Sequence, residues 1–190
     1  MRAAGLATMA YYYLDFRDVK KQDCYGLLSS LVSQLSVESD SCYEVLCRLY
    51  SENNRGATKP DSIELTECIK DMLRFPGQCP VYIIIDALDE CPDTTGTPSA
   101  REVLDLIDEL VVQNFANLRL CVTSRPEIDI RKALKPLKPL EISLHEEDGQ
   151  KNDIFEYIRS VIYSDRKMQG WRDEDKNLAI DMLSDRADGM

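Results

Sequence analysis

The sequence has few of the residues that several functional classes require. Its 190 residues include one histidine, His145, and seven cysteines that form no C-x-x-C pair. This argues against a structural zinc site. The odd cysteine count argues against a disulfide framework and favours free thiols in a reducing compartment, so we expect a cytoplasmic protein. No apolar run approaches 18 residues, and no membrane-spanning helix is expected.

Basic residues are also scarce, because 23 Lys and Arg face 34 Asp and Glu, for a net charge of -11. Binding to nucleic acid or anionic lipid depends on Lys and Arg contacts. The one basic concentration, Arg131–Lys138, holds four positive residues and is typical of a solvated helix end. We therefore expect neither nucleic acid nor membrane as a partner. Hydrophobic residues at 44% and charged residues at 30% indicate a globular protein.

A glycine-rich phosphate-binding loop is missing from this sequence. Such a P-loop ends in Gly-Lys followed by Ser or Thr. None of the eight glycines is followed by Lys and then Ser or Thr. The sequence alone therefore offers no loop whose backbone N–H groups could bind the phosphates of a nucleoside triphosphate.

Strand and helix patterns alternate along the chain. The apolar, β-branched run Val81–Ile85 predicts a strand buried on both faces. Further strands are predicted at Tyr11–Phe16, Leu118–Val122 and Leu140–Leu144, and Met1–Ala10 is interpreted as the tail of a helix. Helices are predicted over 23–36, 42–50, 61–73, 99–112, 126–134, 154–162 and 173–187. This alternation predicts an α/β fold, a parallel sheet with helices on both faces.

Three carboxylates follow the predicted strand at Val81–Ile85. They are Asp86, Asp89 and Glu90. The carboxyl ends of parallel strands face the ligand crevice of such a fold. Asp86 at the strand tip can hold a Mg²⁺ shell, and Asp89 and Glu90 are placed to orient a water for attack. Phosphoryl transfer needs these roles, because its catalysis is mostly positioning and charge neutralisation.

A second polar segment follows the strand Leu118–Val122. Thr123, Ser124 and Arg125 come directly after that strand. An arginine at this place can bind a terminal phosphate through its planar fork of donors. The plainer alternative is an ion pair between Arg125 and a neighbouring acid at a helix start.

Together, these two segments resemble the Walker B and sensor 1 elements of STAND NTPases, in particular the nephrocystin-3-like NACHT domains of fungal NLR-like proteins. Asp15–Asp18 and Arg186–Met190 extend the resemblance over almost the whole chain. It implies a P-loop NTPase-type parallel sheet flanked by helices that lacks its first, P-loop, strand. A partial NACHT core would occupy residues 1–145, and 146–190 would begin the following helical region.

The resemblance also implies roles and partners. Asp86 would be the Mg²⁺-associated aspartate and Glu90 the water-polarising acid, with Asp89 as second candidate. Arg125 would sense the phosphate, and Ser124 would lie with it at the nucleotide. The cofactor would be Mg²⁺ with ATP or GTP. The parent activity would be binding and slow hydrolysis of ATP or GTP. The parent protein would act as a nucleotide-gated oligomerisation switch that associates with itself or with related NACHT proteins. Without the P-loop we expect an inactive and marginally folded chain.

Two other functional classes remain open. One is a nucleotide-independent protein-interaction module. The other is a metal-dependent phosphoesterase that uses Asp86, Asp89 and Glu90. Stabilisation by nucleotide would favour the switch, binding to an intact relative without nucleotide would favour the module, and metal-dependent phosphoester cleavage would favour the third.

Overall fold

The computed structural model describes residues 7–18, 21–75, 78–91, 99–143 and 148–187. The chain divides into two compact units, the first ending at Pro139 and the second beginning at Leu140. The first unit contains β1 (Thr8–Tyr13), α1 (Cys24–Ser36), α2 (Asp40–Glu52), α3 (Ser62–Leu73), β2 (Val81–Asp86), α4 (Ser99–Val112), β3 (Leu118–Val122) and α5 (Ile128–Leu134). The second contains α6 (Asp148–Ser164) and α7 (Asp173–Ala187).

The described strands form one open parallel sheet in the order β1-β2-β3. Thr8 faces Val81 in the β1–β2 pair, and Val81 faces Leu118 in the β2–β3 pair. Both crossovers contain helices, as parallel neighbours require. The predicted α/β class is thus confirmed, and the arrangement is consistent with Rossmann-like and P-loop-like folds.

Within the described residues, one face of this sheet is covered and the other is open. Ala10, Ile83 and Ile85 on the covered face are fully buried, in one core cluster with α1, α3 and α4. The alternate positions on the open face include Tyr11 and Tyr82, each 40% exposed. The prediction that both faces are buried is therefore wrong for the described part of the chain. A continuous apolar run has the same appearance whether one face or both faces are covered.

The starts of α1, α2 and α3 are fixed by local side-chain acceptors. Asp61 Oδ1 accepts from Glu64 N–H at 2.8 Å, and Glu64 Oε2 accepts from Asp61 N–H at 2.8 Å. This reciprocal capping box is the one expected from the spacing of the two acids, and α3 begins at the next residue. Asp23 caps α1 from one side only: its carboxylate accepts from Gly26 N–H at 2.6 Å, and Gly26 has no side chain to return a bond.

The first strand lies earlier than predicted. β1 spans Thr8–Tyr13 rather than Tyr11–Phe16, so the helical interpretation of Thr8–Ala10 is wrong, while Met1–Leu6 lies outside the described residues. The register explains the shift, since Tyr13 is the last residue with a partner in β2. Small residues before the aromatic run can join a strand when a neighbouring strand supplies the hydrogen bonds.

The strand predicted at Leu140–Leu144 is wrong for its described part. Residues 140–143 have no regular secondary structure, and Leu144 lies outside the described residues. Leu140 is 89% exposed and Ile142 67% exposed. Alternating apolar residues do not form a stable strand when no neighbour pairs with them.

The second unit is a pair of helices. Ile162 of α6 and Ile180 of α7 are 3% and 2% exposed. The ammonium of Lys176 lies 5.2 Å from the ring centroid of Tyr163, which adds a cation–π contact between the two helices. Within the described ranges, no helix of either unit combines the length and the apolar character that a membrane span requires.

Candidate functional site

The end of β2 turns sharply at Ala87. Its backbone is left-handed, with φ 57° and ψ 52°, a region that few residues other than glycine, asparagine and aspartate adopt. The turn returns the chain to the core, where Leu88 is 1% exposed. Asp86, Asp89 and Glu90 lie on either side of this anchor, and each has a different partner.

Thr123 joins the ends of β2 and β3. Its N–H donates to Ile85 O at 3.0 Å, and its carbonyl accepts from Leu88 N–H at 2.9 Å. Its hydroxyl donates to Asp86 Oδ1 at 2.5 Å and accepts from Ala87 N–H at 2.9 Å. One side chain therefore fixes the Asp86 carboxylate and holds the left-handed turn.

The role of Thr123 does not follow from the residue pattern, although the two segments that it joins are identifiable in the sequence. The missing information was the register. Ile85 faces Val122, and the next residue of each strand, Asp86 and Thr123, therefore meets at the sheet edge. A hydroxyl in register with the strand-tip acid is the signal that could have been used.

Arg125 is paired with Asp89. The backbone N–H of Arg125 donates to Asp89 Oδ1 at 3.0 Å, and its Nε lies 3.3 Å from Asp89 Oδ2. The Asp89 side chain is 11% exposed and that of Arg125 is 78% exposed. The geometry therefore contains the ion pair that was the plainer alternative for Arg125. Ser124 Oγ donates to Arg125 O at 2.8 Å, which keeps that hydroxyl within its own loop.

Glu90 contacts the segment after β1 instead. Its Oε2 accepts from Phe16 N–H at 3.2 Å. Nearby, Asp15 Oδ1 accepts from the backbone N–H of Arg17 at 2.9 Å and from its Nε at 3.0 Å. The side-chain hydrogen bond from Arg17 lowers the pKa of the Asp15 carboxyl. Contacts to the segment after β2 therefore tie all three strand ends to one edge of the sheet.

The carboxylates at this edge of the sheet suit a metal ion that is also bound by phosphate oxygens and water, rather than one bound by protein side chains alone. In the residues described, no group of three His, Cys, Asp or Glu side chains is arranged to hold a metal ion. Mg²⁺ at a nucleotide takes one or two protein carboxylates and completes its octahedron with phosphate oxygens and water. Asp86, a half-buried carboxylate held by Thr123, fits the role of a single protein ligand.

The chain matches a known protein family over most of its first unit. Residues 1–125 match the family model described as Nephrocystin 3, N-terminal. The matched range contains Asp86, Asp89, Glu90, Ser124 and Arg125. No curated protein matches the chain.

Proposed function

The chain belongs to the nephrocystin 3 N-terminal family, and from this premise we propose that it carries the magnesium-facing and phosphate-facing half of a NACHT-type nucleotide site. The observation that carries the proposal is the Thr123 hydroxyl, which joins the Asp86 carboxylate to the turn at Ala87. A strand-tip acid held by the neighbouring strand is pre-organised, and positioning is most of what phosphoryl transfer requires of the protein.

In this proposal Asp86 is the protein ligand of Mg²⁺. The bound ion supplies charge neutralisation at the phosphates of ATP or GTP. Glu90 is the acid that orients water. Asp89 was its second candidate, but Asp89 accepts a hydrogen bond from the Arg125 backbone N–H, forms an ion pair with the Arg125 guanidinium and is 11% exposed, which supports Glu90 over it.

Arg125 is proposed as the phosphate-sensing residue. Its side chain is 78% exposed while its Nε faces Asp89. A guanidinium has five N–H donors, so an arginine held by one acid still has donors for a phosphate oxygen. Asp89 then acts as a positioning residue that aims Arg125 toward the strand ends. Ser124 is proposed to contact the nucleotide through its backbone, because its hydroxyl already donates to Arg125 O.

In this proposal the phosphate cradle comes from additional polypeptide, because no P-loop sequence is present in the chain as given. The resemblance places the P-loop strand beside the sensor 1 strand, which is β3. In the described part of the chain, β3 has only one paired edge. We therefore propose a cytoplasmic nucleotide-gated oligomerisation switch that is inactive until a P-loop strand adds along β3.

The experiment compares two forms of the protein in thermal unfolding with Mg²⁺ and ATP or GTP. One is the chain as given. The other carries a strand, P-loop and helix segment of an intact relative fused before Met1. At about 100 times the dissociation constant, nucleotide should stabilise the fused form by about 2.7 kcal/mol and leave the unfused form unchanged.

Asp86→Ala in the fused form is the matched control and should abolish the stabilisation. Thr123→Val should reduce it. A fused form that unfolds cooperatively and shows no nucleotide-dependent shift would overturn the proposal. An equal shift in the Asp86→Ala variant would exclude Asp86 as the metal ligand.

A nucleotide-independent interaction module is the second candidate, and the open sheet face favours it. Tyr11, Tyr13 and Tyr82 are 40%, 54% and 40% exposed on one side of a parallel sheet, although such sheets usually have both faces covered. Binding to an intact relative that is unaffected by nucleotide and by Asp86→Ala would support this module. No observation gives similar support to a phosphoesterase.

A further inference from the structure

The two outer edges of the sheet differ in their hydrogen bonding. At the β1 edge, Tyr11 N–H donates to Gln34 Oε1 at 3.1 Å, and Gln34 Nε2 donates to Tyr11 O at 2.8 Å. The side-chain amide of α1 thus makes the two bonds that a neighbouring strand would make. This blocks the centre of the β1 edge against pairing with another chain.

The β3 edge has no such cover in the described residues. Asn117 O and Thr123 N–H bond to β2. Since successive residues of a strand point their peptide groups to opposite sides, the groups of Leu120 and Val122 point away from β2. Leu118 also points outward, but its N–H donates to Phe115 O at 3.2 Å and its carbonyl accepts from Arg119 Nη1 at 2.8 Å.

We propose that β3 pairs antiparallel with β3 of a second copy, with Cys121 on the two-fold axis. In this register Leu120 of each copy faces Val122 of the other, and these two residues supply all four inter-strand hydrogen bonds. This register uses the outward N–H and carbonyl groups of Leu120 and Val122, which have no strand partner. It does not use those of Leu118. Because the β1 edge is blocked, growth stops at two copies, which gives a closed dimer and not a fibre.

The side chains at this junction are self-complementary. Leu120 and Val122 are half-buried and pack against the core, so pairing would join the two cores on the covered face. Cys121 is exposed on the other face. It would face Cys121 of the second copy as a non-hydrogen-bonded pair, with Cα atoms about 4.5 Å apart. This separation lies within the range that a disulfide spans.

Charge opposes the association. Each copy has a net charge of -11, and screening by salt weakens repulsion between exposed charges. We therefore expect the dimer to tighten as ionic strength rises. This proposal does not rest on the nucleotide function, and the dimer is expected without nucleotide or Mg²⁺.

The first test combines sedimentation with cysteine cross-linking by diamide, which accepts the two electrons and two protons that the thiols lose. We expect a concentration-dependent monomer–dimer equilibrium and a cross-linked dimer through Cys121. Cys121→Ser should abolish the cross-link and keep the dimer. Cys47 and Cys79 are also exposed, so Cys47→Ser and Cys79→Ser are the matched controls and should keep the cross-link.

A two-fold axis at Cys121 makes a second, sharper test possible. A charged residue at position 121 would face the same charge on the second copy. Cys121→Lys and Cys121→Asp should therefore both raise the dimer dissociation constant, by about fivefold. Because Cys121 is exposed, neither substitution should change the melting temperature of the monomer. The proposal is overturned by a monomer at all concentrations, by a cross-link through Cys47 or Cys79 instead, or by a dimer that tolerates one sign of charge.

Discussion

Replacing Thr123 by valine tests the contact on which the candidate site depends. The substitution keeps the side-chain shape but removes a hydroxyl that donates to Asp86 Oδ1 at 2.5 Å and accepts from Ala87 N–H at 2.9 Å. Thr123 is exposed, so each lost bond belongs to the lower part of the range of about 0.5–1.5 kcal/mol. Two bonds then give a loss of about 1–2 kcal/mol in the free energy of unfolding.

Urea unfolding followed by circular dichroism measures this loss. With an m-value of about 2 kcal/mol/M, the midpoint should fall by about 0.5–1 M while m stays constant. Thr123→Ser keeps the hydroxyl and should stay within about 0.5 kcal/mol of the wild type. The reasoning is refuted if valine has no effect, or if serine destabilises the protein as much as valine does.

Two further predictions concern the core. Lys70 is 3% exposed and pairs with Glu67 and Glu109, which are 54% and 47% exposed. In urea unfolding, Lys70→Met should change the free energy of unfolding by less than about 1 kcal/mol. The Glu67→Gln, Glu109→Gln double variant should lose about 3 kcal/mol, because it leaves a buried charge unpaired. Burial raises the pKa of Cys24 to about 12 and of Cys68 to about 11, from 9.0. Above about pH 9 the unfolded chain loses thiol protons that the folded chain keeps, so stability should fall by up to about 1.4 kcal/mol per pH unit per thiol. Alanine at both cysteines should flatten the slope between pH 9 and 11, and an unchanged slope would contradict the assignment.

Much of the fold followed from local pattern. The strand Leu118–Val122 and the start of α3 at the Asp61 cap have the predicted bounds, and β2 extends the predicted strand by one residue, to Asp86. Short apolar runs and capping residues determine these features through interactions within a few residues. The meeting of the segments after β2 and β3 also followed, because parallel neighbours end at the same edge of a sheet.

The predictions that failed depend on contacts with residues that are distant in the sequence. Leu140–Ser143 has the alternation of a strand but pairs with no strand among the described residues, and whether the outer face of Val81–Ile85 is covered depends on elements far along the chain. In the site, an ion pair was one of two interpretations open for Arg125 and its partner, Asp89, was not identified, while the role of Thr123 was not predicted. Both contacts are set by the register between β2 and β3, and residue type alone does not determine register.

The open edge of β3 links the two proposals, because one edge can pair with only one strand. A P-loop strand added along Leu120 and Val122 would use the same N–H and carbonyl groups that the dimer uses. The fused form proposed for the nucleotide experiment should therefore sediment as a monomer and lose the Cys121 cross-link, even without nucleotide. A fused form that binds nucleotide and still cross-links through Cys121 would show that the added strand lies elsewhere. In that case the position of the P-loop strand beside β3 would have to be abandoned, while the roles of Asp86 and Thr123 would stand.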